Sequence, residues 1–152
     1  MSGSFSVRRA IATDVPAWSA QRSALWPDED AQLLEDEAPA MLDDGAGIVF
    51  VAESEGQVVG FAEATLRRDY VNGTETSPVG FLEAWYVAPP WRGRGVGRAL
   101  VRAVEGWTRA QGCCELASDA LLDNNVSHDA HAACGFEETE RVVYFRKLLA
   151  DR

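Results

Sequence analysis

A chain of 152 residues suffices for one domain with one sizeable core, because a protein of this size buries roughly two-thirds of the surface its unfolded chain exposes. Its 24 acidic residues against 14 basic ones leave a net charge of -10, a field that repels nucleic acid and anionic membranes and attracts polycations. No run approaches the roughly 20 apolar residues of a membrane span, and residues 1–9 lack the apolar stretch of a secretory signal, so a cytoplasmic protein with a single domain over residues 1–152 is expected.

Taken in chain order, residues 5–9 alternate apolar and polar side chains as an opening strand does. Thr13 is placed as a helix N-cap with Pro16 in the first turn; the helix turns Val15, Trp18 and Leu25 to the core and stops at Pro27. A second helix is expected over residues 30–42, acid-rich early, where the helix dipole favours negative charge, and Asp44-Gly45 closes it. Strands over 48–54 and 57–66 flank the hairpin signal Glu55-Gly56, and a third strand over 79–87 follows a polar loop.

From residue 95 to 111, Val96, Leu100, Val104 and Trp107 recur at intervals of three and four, the stripe of an amphipathic helix, with Arg98, Arg102 and Arg109 off it. A strand over 113–119, a helix over 125–134 and a last strand over 136–148 complete the order. Antiparallel strands followed by a strand–helix–strand crossover predict an α/β or α+β fold, a mixed sheet covered by helices. Cys113, Cys114 and Cys134 make an odd count, read as reduced thiols; Cys113 and Cys114 open an apolar run and are expected to pack as small hydrophobes. No histidine follows them at ligand spacing, so no metal is expected.

The chemistry begins where the third strand runs through Ala88-Pro89-Pro90-Trp91 into Arg92-Gly93-Arg94-Gly95-Val96-Gly97 and the long helix. Alternate glycines let a backbone approach a ligand closely, and the first N–H groups of a helix, with its dipole, attract an anion. Arg92, Arg94 and Arg98 add whole charges that repel one another unless an anion offsets them. The turn lacks the Gly-Lys-Ser/Thr of a P-loop, and its glycines are not spaced as a dinucleotide fingerprint requires.

This segment resembles the Q/R-x-x-G-x-G/A pyrophosphate-binding motif of the GCN5-related N-acetyltransferase (GNAT) superfamily. The stretch from Asn124-Asn125-Val126-Ser127 through His131 to Gly135-Phe136 is similar to that superfamily's second motif, with His131 where many relatives carry a tyrosine. The resemblance implies the superfamily's fold, a mixed central sheet with splayed parallel strands flanked by helices, and acetyl-coenzyme A (acetyl-CoA) as cofactor. It places the cofactor against Trp85, Tyr86, Val87, Arg92, Gly93, Arg94, Gly95, Val96, Gly97, Arg98, Asn124, Ser127 and His131. His131 is read either as the acid for the departing thiolate or as a packing residue, and His128 as a surface residue.

A narrower resemblance, to the aminoglycoside 6'-N-acetyltransferases, is carried by Leu25-Trp26-Pro27, Arg68-Asp69-Tyr70-Val71-Asn72-Gly73, Ser77-Pro78, Phe81-Leu82-Glu83, Ala117-Ser118-Asp119 and Gly135-Phe136-Glu137-Glu138-Thr139-Glu140-Arg141. It implies a cationic aminoglycoside as substrate, antibiotic resistance as role, and a homodimer. Glu83, on a strand face with Phe81 and Trp85, is an acid among apolar neighbours whose burial would raise its pKa toward that of a base; a carboxylate at a sheet bulge or in an ion pair is the alternative. Asp119, at the end of a strand expected to run parallel to it, faces the same crevice. Glu83 and Asp119 are therefore candidates both for the base and for substrate contact, with Trp26, Asp69 and Tyr70 as further substrate contacts and Trp26 equally readable as a core plug. Two rivals stay open: the same fold acting on a polyamine, amino acid or peptide N-terminus, and a non-catalytic acyl-CoA sensor.

Overall fold

Both residues of the Glu55-Gly56 turn take positive φ, 51° and 79°, the conformation that lets two twisted strands return on themselves in a two-residue hairpin. The turn joins β2 (Gly47–Ser54) to β3 (Gln57–Arg67), the centre of a sheet that β1 (Ser6–Arg9), β4 (Val79–Val87) and β5 (Leu116–Ser118) complete in the order β1-β2-β3-β4-β5. Successive strands from β1 to β4 pair antiparallel, and β5 joins β4 in parallel. These features come from a computed structural model that describes residues 3–150. The chain separates into two compact units, one ending at Asp119 and the other beginning at Ala120.

In the first unit, adjacent residues of β3 serve opposite faces of the sheet. Phe61 and Glu63 meet α1 (Val15–Leu25), where Trp18, Phe61, Val51 and Ala38 of α2 (Ala31–Leu42) form one buried cluster. Gly60 faces the other way: a Cβ there would lie 3.3 Å from Leu100 of α3 (Val96–Ala110) and 2.8 Å from the carbonyl of Tyr86, so no larger residue fits. The predicted stripe on α3 is buried as Val96, Leu100, Val104 and Trp107, while Arg98, Arg102 and Arg109 stay exposed. Each fully buried aliphatic or aromatic side chain contributes about 1.5–3 kcal/mol, so this two-sided core holds the sheet against both helix layers.

The first helix starts differently from the expectation. Thr13 lies inside a 3-10 turn, Ala12–Asp14, that precedes α1, and Asp14 is the residue with the local role: its carboxylate accepts from the Ile11 N–H at 2.7 Å and from both terminal nitrogens of Arg8 at 2.7 and 2.9 Å. Arg8 holds the Asp14 carboxyl below the ordinary aspartate range, against the opposing effect of burial. A depressed folded-state value contributes stability above the ordinary pKa and loses it as pH falls through the depressed one. Asp14→Asn is therefore expected to flatten the acid side of a urea-unfolding profile measured from pH 5 to pH 2. Asp30 caps α2 as its position suggests, accepting from Gln32 N and Leu33 N.

β5 is shorter than the expected strand, ending its ladder at Ser118. Cys113 is buried, as expected, and burial pushes its thiol up, whereas Cys114 is exposed and Cys134 half-buried. In the second unit, Asn124 caps α4 (Asn125–Ala133), its side chain accepting from Ser127 N at 3.2 Å. The strand expected over 136–148 is not formed: residues 136–149 take no regular secondary structure. Val142, Val143, Tyr144 and Phe145 have strand-forming side chains, but a strand needs a neighbour for its backbone groups, and among the described residues this segment joins no ladder.

Candidate active site

β4 is the strand on which the site is built. It pairs with β5 only from Gly80 to Leu82, opposite Leu116 to Ser118, and then runs on to Val87 with no strand on that edge among the described residues. A 3-10 turn, Pro89–Trp91, and the segment from Arg92 to Gly95 lead from it into α3.

The glycines of this turn serve two purposes. Gly93 and Gly95 take φ of 77° and 89°, a region other residues avoid, and a Cβ at either would meet nothing within 4 Å, so conformation and open space mark the ligand side. Gly97 is there for packing: a Cβ on it would sit 3.3 Å from the Trp85 ring, whose N–H donates to the Gly97 carbonyl at 3.1 Å. Gly95, the N-cap residue, brings no side-chain acceptor to the first amides of α3, and Arg92, Arg94 and Arg98 are exposed around the turn. Arg92 is braced by its Nε donating to the Val87 carbonyl at 2.8 Å and by the Tyr86 ring beneath its guanidinium, while Arg94 lies over Trp91. Uncapped amides, a positive helix end and braced guanidinium groups fit a diphosphate. Gly95→Ala, which forces a side chain into the left-handed region, is expected to weaken coenzyme A binding about tenfold by calorimetry, the equivalent of about 1.4 kcal/mol.

Glu83 sits where the β3–β4 register slips, between the pairs Glu63↔Ala84 and Ala64↔Leu82. This bulge corrects two expectations. Ala84 joins the cluster of Trp18 and Phe61, which sends Trp85 toward α3, so Glu83 shares its surroundings with Phe81 but not with Trp85. Nor is it buried: its carboxylate is exposed and engaged, accepting from Thr65 Oγ1 at 2.5 Å and from Arg67 Nη2 at 2.9 Å, with the Arg67 guanidinium 3.6 Å from the centre of the Phe81 ring. The bulge and ion-pair alternative thus describes its setting, and no argument from desolvation applies to it.

The parallel pairing of β4 with β5 is as expected, and Asp119 follows Ser118, the last residue of that ladder, whose partner on β4 is Leu82, the neighbour of Glu83. Asp119 is exposed. Asp69 and Tyr70 stand on the loop between β3 and β4, Tyr70 with 74% of its surface exposed. Trp26 is half-buried against the Trp18 cluster with the Arg22 guanidinium 5.1 Å from its ring, so the core reading holds for one side of it.

The acid in apolar surroundings is Glu63, which the sequence pattern did not single out. It is 3% exposed and accepts from Trp18 Nε1 at 3.0 Å and Arg22 Nε at 2.8 Å. Its signal is the one applied to Glu83: it alternates with Phe61 on a strand. Met41, Asp44, Glu63, Thr65 and Glu83 line a small cleft of about 50 Å³ beside it. Arg67 and Thr65 carry no such signal, because only the register reveals that they flank Glu83.

In the second unit, His131 Nδ1 lies 2.7 Å from the Ser127 carbonyl and the ring packs edge-on against Phe136 at 5.1 Å. A carbonyl only accepts, so Nδ1 carries a proton, and His131 has one to give from Nε2 only as imidazolium. His128 reaches the Leu121 carbonyl at 2.9 Å. Among the described residues no three metal-ligating side chains come together, and no helix is long and apolar enough to cross a membrane.

A strand that outruns its parallel neighbour and leads by an anion-ready turn into a helix is the setting of an acyl-CoA-dependent transferase. The chain belongs to the acetyltransferase (GNAT) family, whose model matches residues 14–136. It is 58% identical over 145 residues to an aminoglycoside N(6')-acetyltransferase type 1 of Stenotrophomonas maltophilia, covering 95% of this chain and 94% of that protein. It is 43% identical over 143 residues to the protein of that name from Salmonella typhimurium, covering 93% and 97%. The crystal structure of aminoglycoside 6'-N-acetyltransferase AAC(6')-Ih from Acinetobacter baumannii superimposes with a TM-score of 0.90 at 40% identity, over 97% of this chain and all of that one. AAC(6')-Iy in complex with a bisubstrate analogue, CoA-S-monomethyl-acetylneamine, does so at 0.90 and 39% identity, over 95% and 99%.

Proposed function

We propose that this protein transfers the acetyl group of acetyl-CoA to the 6'-amine of aminoglycosides and so confers resistance to them. The observation that carries the reading is near-full-length identity to aminoglycoside 6'-N-acetyltransferases, together with two exposed carboxylates, Glu83 on β4 and Asp119 just past the end of β5, the strand paired with it. A sensor of acyl-CoA has no use for that pair.

The turn from Arg92 to Arg98 holds the diphosphate, and the edge of β4 from Trp85 to Val87 receives the rest of the cofactor and polarises its carbonyl. Bound there, the cofactor supplies an activated acetyl thioester. Holding both reactants in one complex removes much of the entropic barrier to direct attack, so no covalent enzyme intermediate is required. The oxygens of Glu83 are already engaged by Arg67 and Thr65, which suits it to hold the cationic substrate. Asp119, one strand over, takes the proton from the ammonium, directly or through water. Tyr70 and the open side of Trp26 cover the sugar rings, and Asp69 receives a further ammonium group. Asn124 and Ser127 shape the start of α4, and the Ser127 carbonyl orients the His131 ring.

We also assign the protein to the cytoplasm, where acetyl-CoA is made, and to a homodimer. What supports the dimer is the tail of the second unit: Val143, Tyr144, Phe145 and Leu149 are 73–92% exposed on a strand-prone segment that joins no ladder among the described residues, and a second copy would supply one.

Purified protein incubated with acetyl-CoA and kanamycin, tobramycin or spermidine, followed by free-thiol release, tests the function. Acetylation of kanamycin and tobramycin at the 6'-nitrogen, located by NMR, is expected. Turnover of spermidine alone would assign another amine, and coenzyme A binding without any acetylation would make the protein a sensor.

A further inference from the structure

We infer that Glu115 is a positioning residue for the amine substrate: it clamps the loop that carries Asp69 and Tyr70 to β5, the strand that Asp119 directly follows. The inference rests on the reading above, in which this loop contacts the aminoglycoside. The loop between Arg67 and Val79 is polar, and eleven residues without regular structure are free to wander unless held.

Two sets of bonds fix its shape from within. Ser77 Oγ donates to the Arg68 carbonyl at 2.7 Å and closes the stem, and Thr74 donates to the Val71 carbonyl from its N–H at 3.1 Å and its hydroxyl at 2.7 Å to form a tight turn. Neither set ties the loop to the rest of the unit. That tie comes from the Glu115 carboxylate, which accepts from the N–H of Glu75 at 3.0 Å, from the N–H of Thr76 at 2.7 Å and from the Thr76 hydroxyl. Cys114 adds a weak contact to the same hydroxyl at 3.7 Å.

Glu115 precedes the first residue of β5 and Asp119 follows its last, so one three-residue strand has the loop clamp at one end and the carboxylate facing the substrate at the other. The strand is itself pinned to β4, with the Gly80 N–H donating to the Glu115 carbonyl at 3.1 Å. A shift of Glu75 and Thr76, the base of the loop, relative to β5 therefore has to break the bonds to Glu115. The same bonds, that from the Thr76 hydroxyl foremost, hold the Glu115 carboxyl below the ordinary glutamate range, so the clamp stays charged in neutral solution.

The test compares Glu115→Ala, Glu115→Gln and Tyr70→Ala in steady-state kinetics, together with amide hydrogen exchange. Glu115→Ala is expected to raise the aminoglycoside KM about tenfold, shift the acetyl-CoA KM by less than about twofold, and speed exchange at the Glu75 and Thr76 amides. Glu115→Gln, which keeps one acceptor oxygen, should fall between it and the wild type. Faster exchange with an unchanged aminoglycoside KM would overturn the proposal, as would an equal rise in both KM values. Tyr70→Ala separates this from failure of the underlying reading: if it leaves the aminoglycoside KM unchanged, the loop does not meet the substrate and the clamp has nothing to position.

Discussion

Asp119→Asn is expected to lower kcat for an aminoglycoside by about a hundredfold or more, the usual scale for loss of a general base, with coenzyme A affinity unchanged. Glu83→Gln is expected to act differently, lowering kcat/KM about tenfold and mainly through KM, because a group that binds ground state and transition state alike controls affinity. The distinction follows from partners. Thr65 and Arg67 already donate to Glu83, so an incoming ammonium adds to an existing network, whereas Asp119 stands exposed at a strand end beyond the last ladder pair. Thiol-release kinetics with calorimetry of coenzyme A binding checks both. A kcat defect in Glu83→Gln with a normal Asp119→Asn would exchange the two roles, and normal turnover in both would remove the pair from the chemistry.

Much of the shape of the candidate site is legible in the amino-acid sequence, and the reason is local. The turn from Arg92 to Gly97 is a continuous segment whose shape depends on backbone conformation, and glycine spacing encodes conformation directly. The amphipathic α3 and the hairpin at Glu55-Gly56 are local in the same sense, since each is specified by side-chain periodicity or by two residues able to take positive φ. Gly97 shows the limit: the motif marks it as one of three equivalent glycines, while its actual neighbour is Trp85, 12 residues back on β4.

What depends on register is not legible in this way. The bulge at Glu83 exists because β3 and β4 pair with one residue to spare, and nothing within β4 announces it; strict alternation therefore puts Trp85 on the wrong face. The same slip explains why Arg67, outside every motif, is the partner of a candidate catalytic residue. Periodicity in the tail predicts a strand, but periodicity describes side chains, and a strand is made by its neighbour's backbone.

Glu63→Ala is expected to cost about 3–5 kcal/mol of stability, the usual penalty for breaking a buried ion pair from one side, and a drop of roughly 10–15 °C in Tm. The carboxylate links three elements: Trp18 and Arg22 of α1 donate to it from the helix, and Arg22 in turn donates to the Leu34 carbonyl of α2 at 3.1 Å. Without it a guanidinium that is 5% exposed keeps the Leu34 carbonyl and, for charge, Glu37, 3.7 Å away and half in solvent, and the Trp18 N–H loses its acceptor. Burial nevertheless pushes the Glu63 carboxyl above the ordinary glutamate range, against the pull of Arg22 and Trp18, so desolvation outweighs pairing. A raised folded-state value means that this group's contribution is largest below the ordinary glutamate pKa and declines as pH rises through the raised one, the opposite of Asp14. It follows that removing both charges should be gentler than removing one: Arg22→Met with Glu63→Leu is expected to recover at least half of the loss seen in Glu63→Ala. Thermal unfolding of the single and double variants checks this, and a double variant as unstable as the single one would refute it. Glu83→Gln provides the contrast, since its pair with Arg67 is 30% and 43% exposed and exposed pairs contribute about 0–1 kcal/mol. Two glutamates on adjacent strands thus separate by measurement, one through loss of fold and the other through loss of substrate affinity.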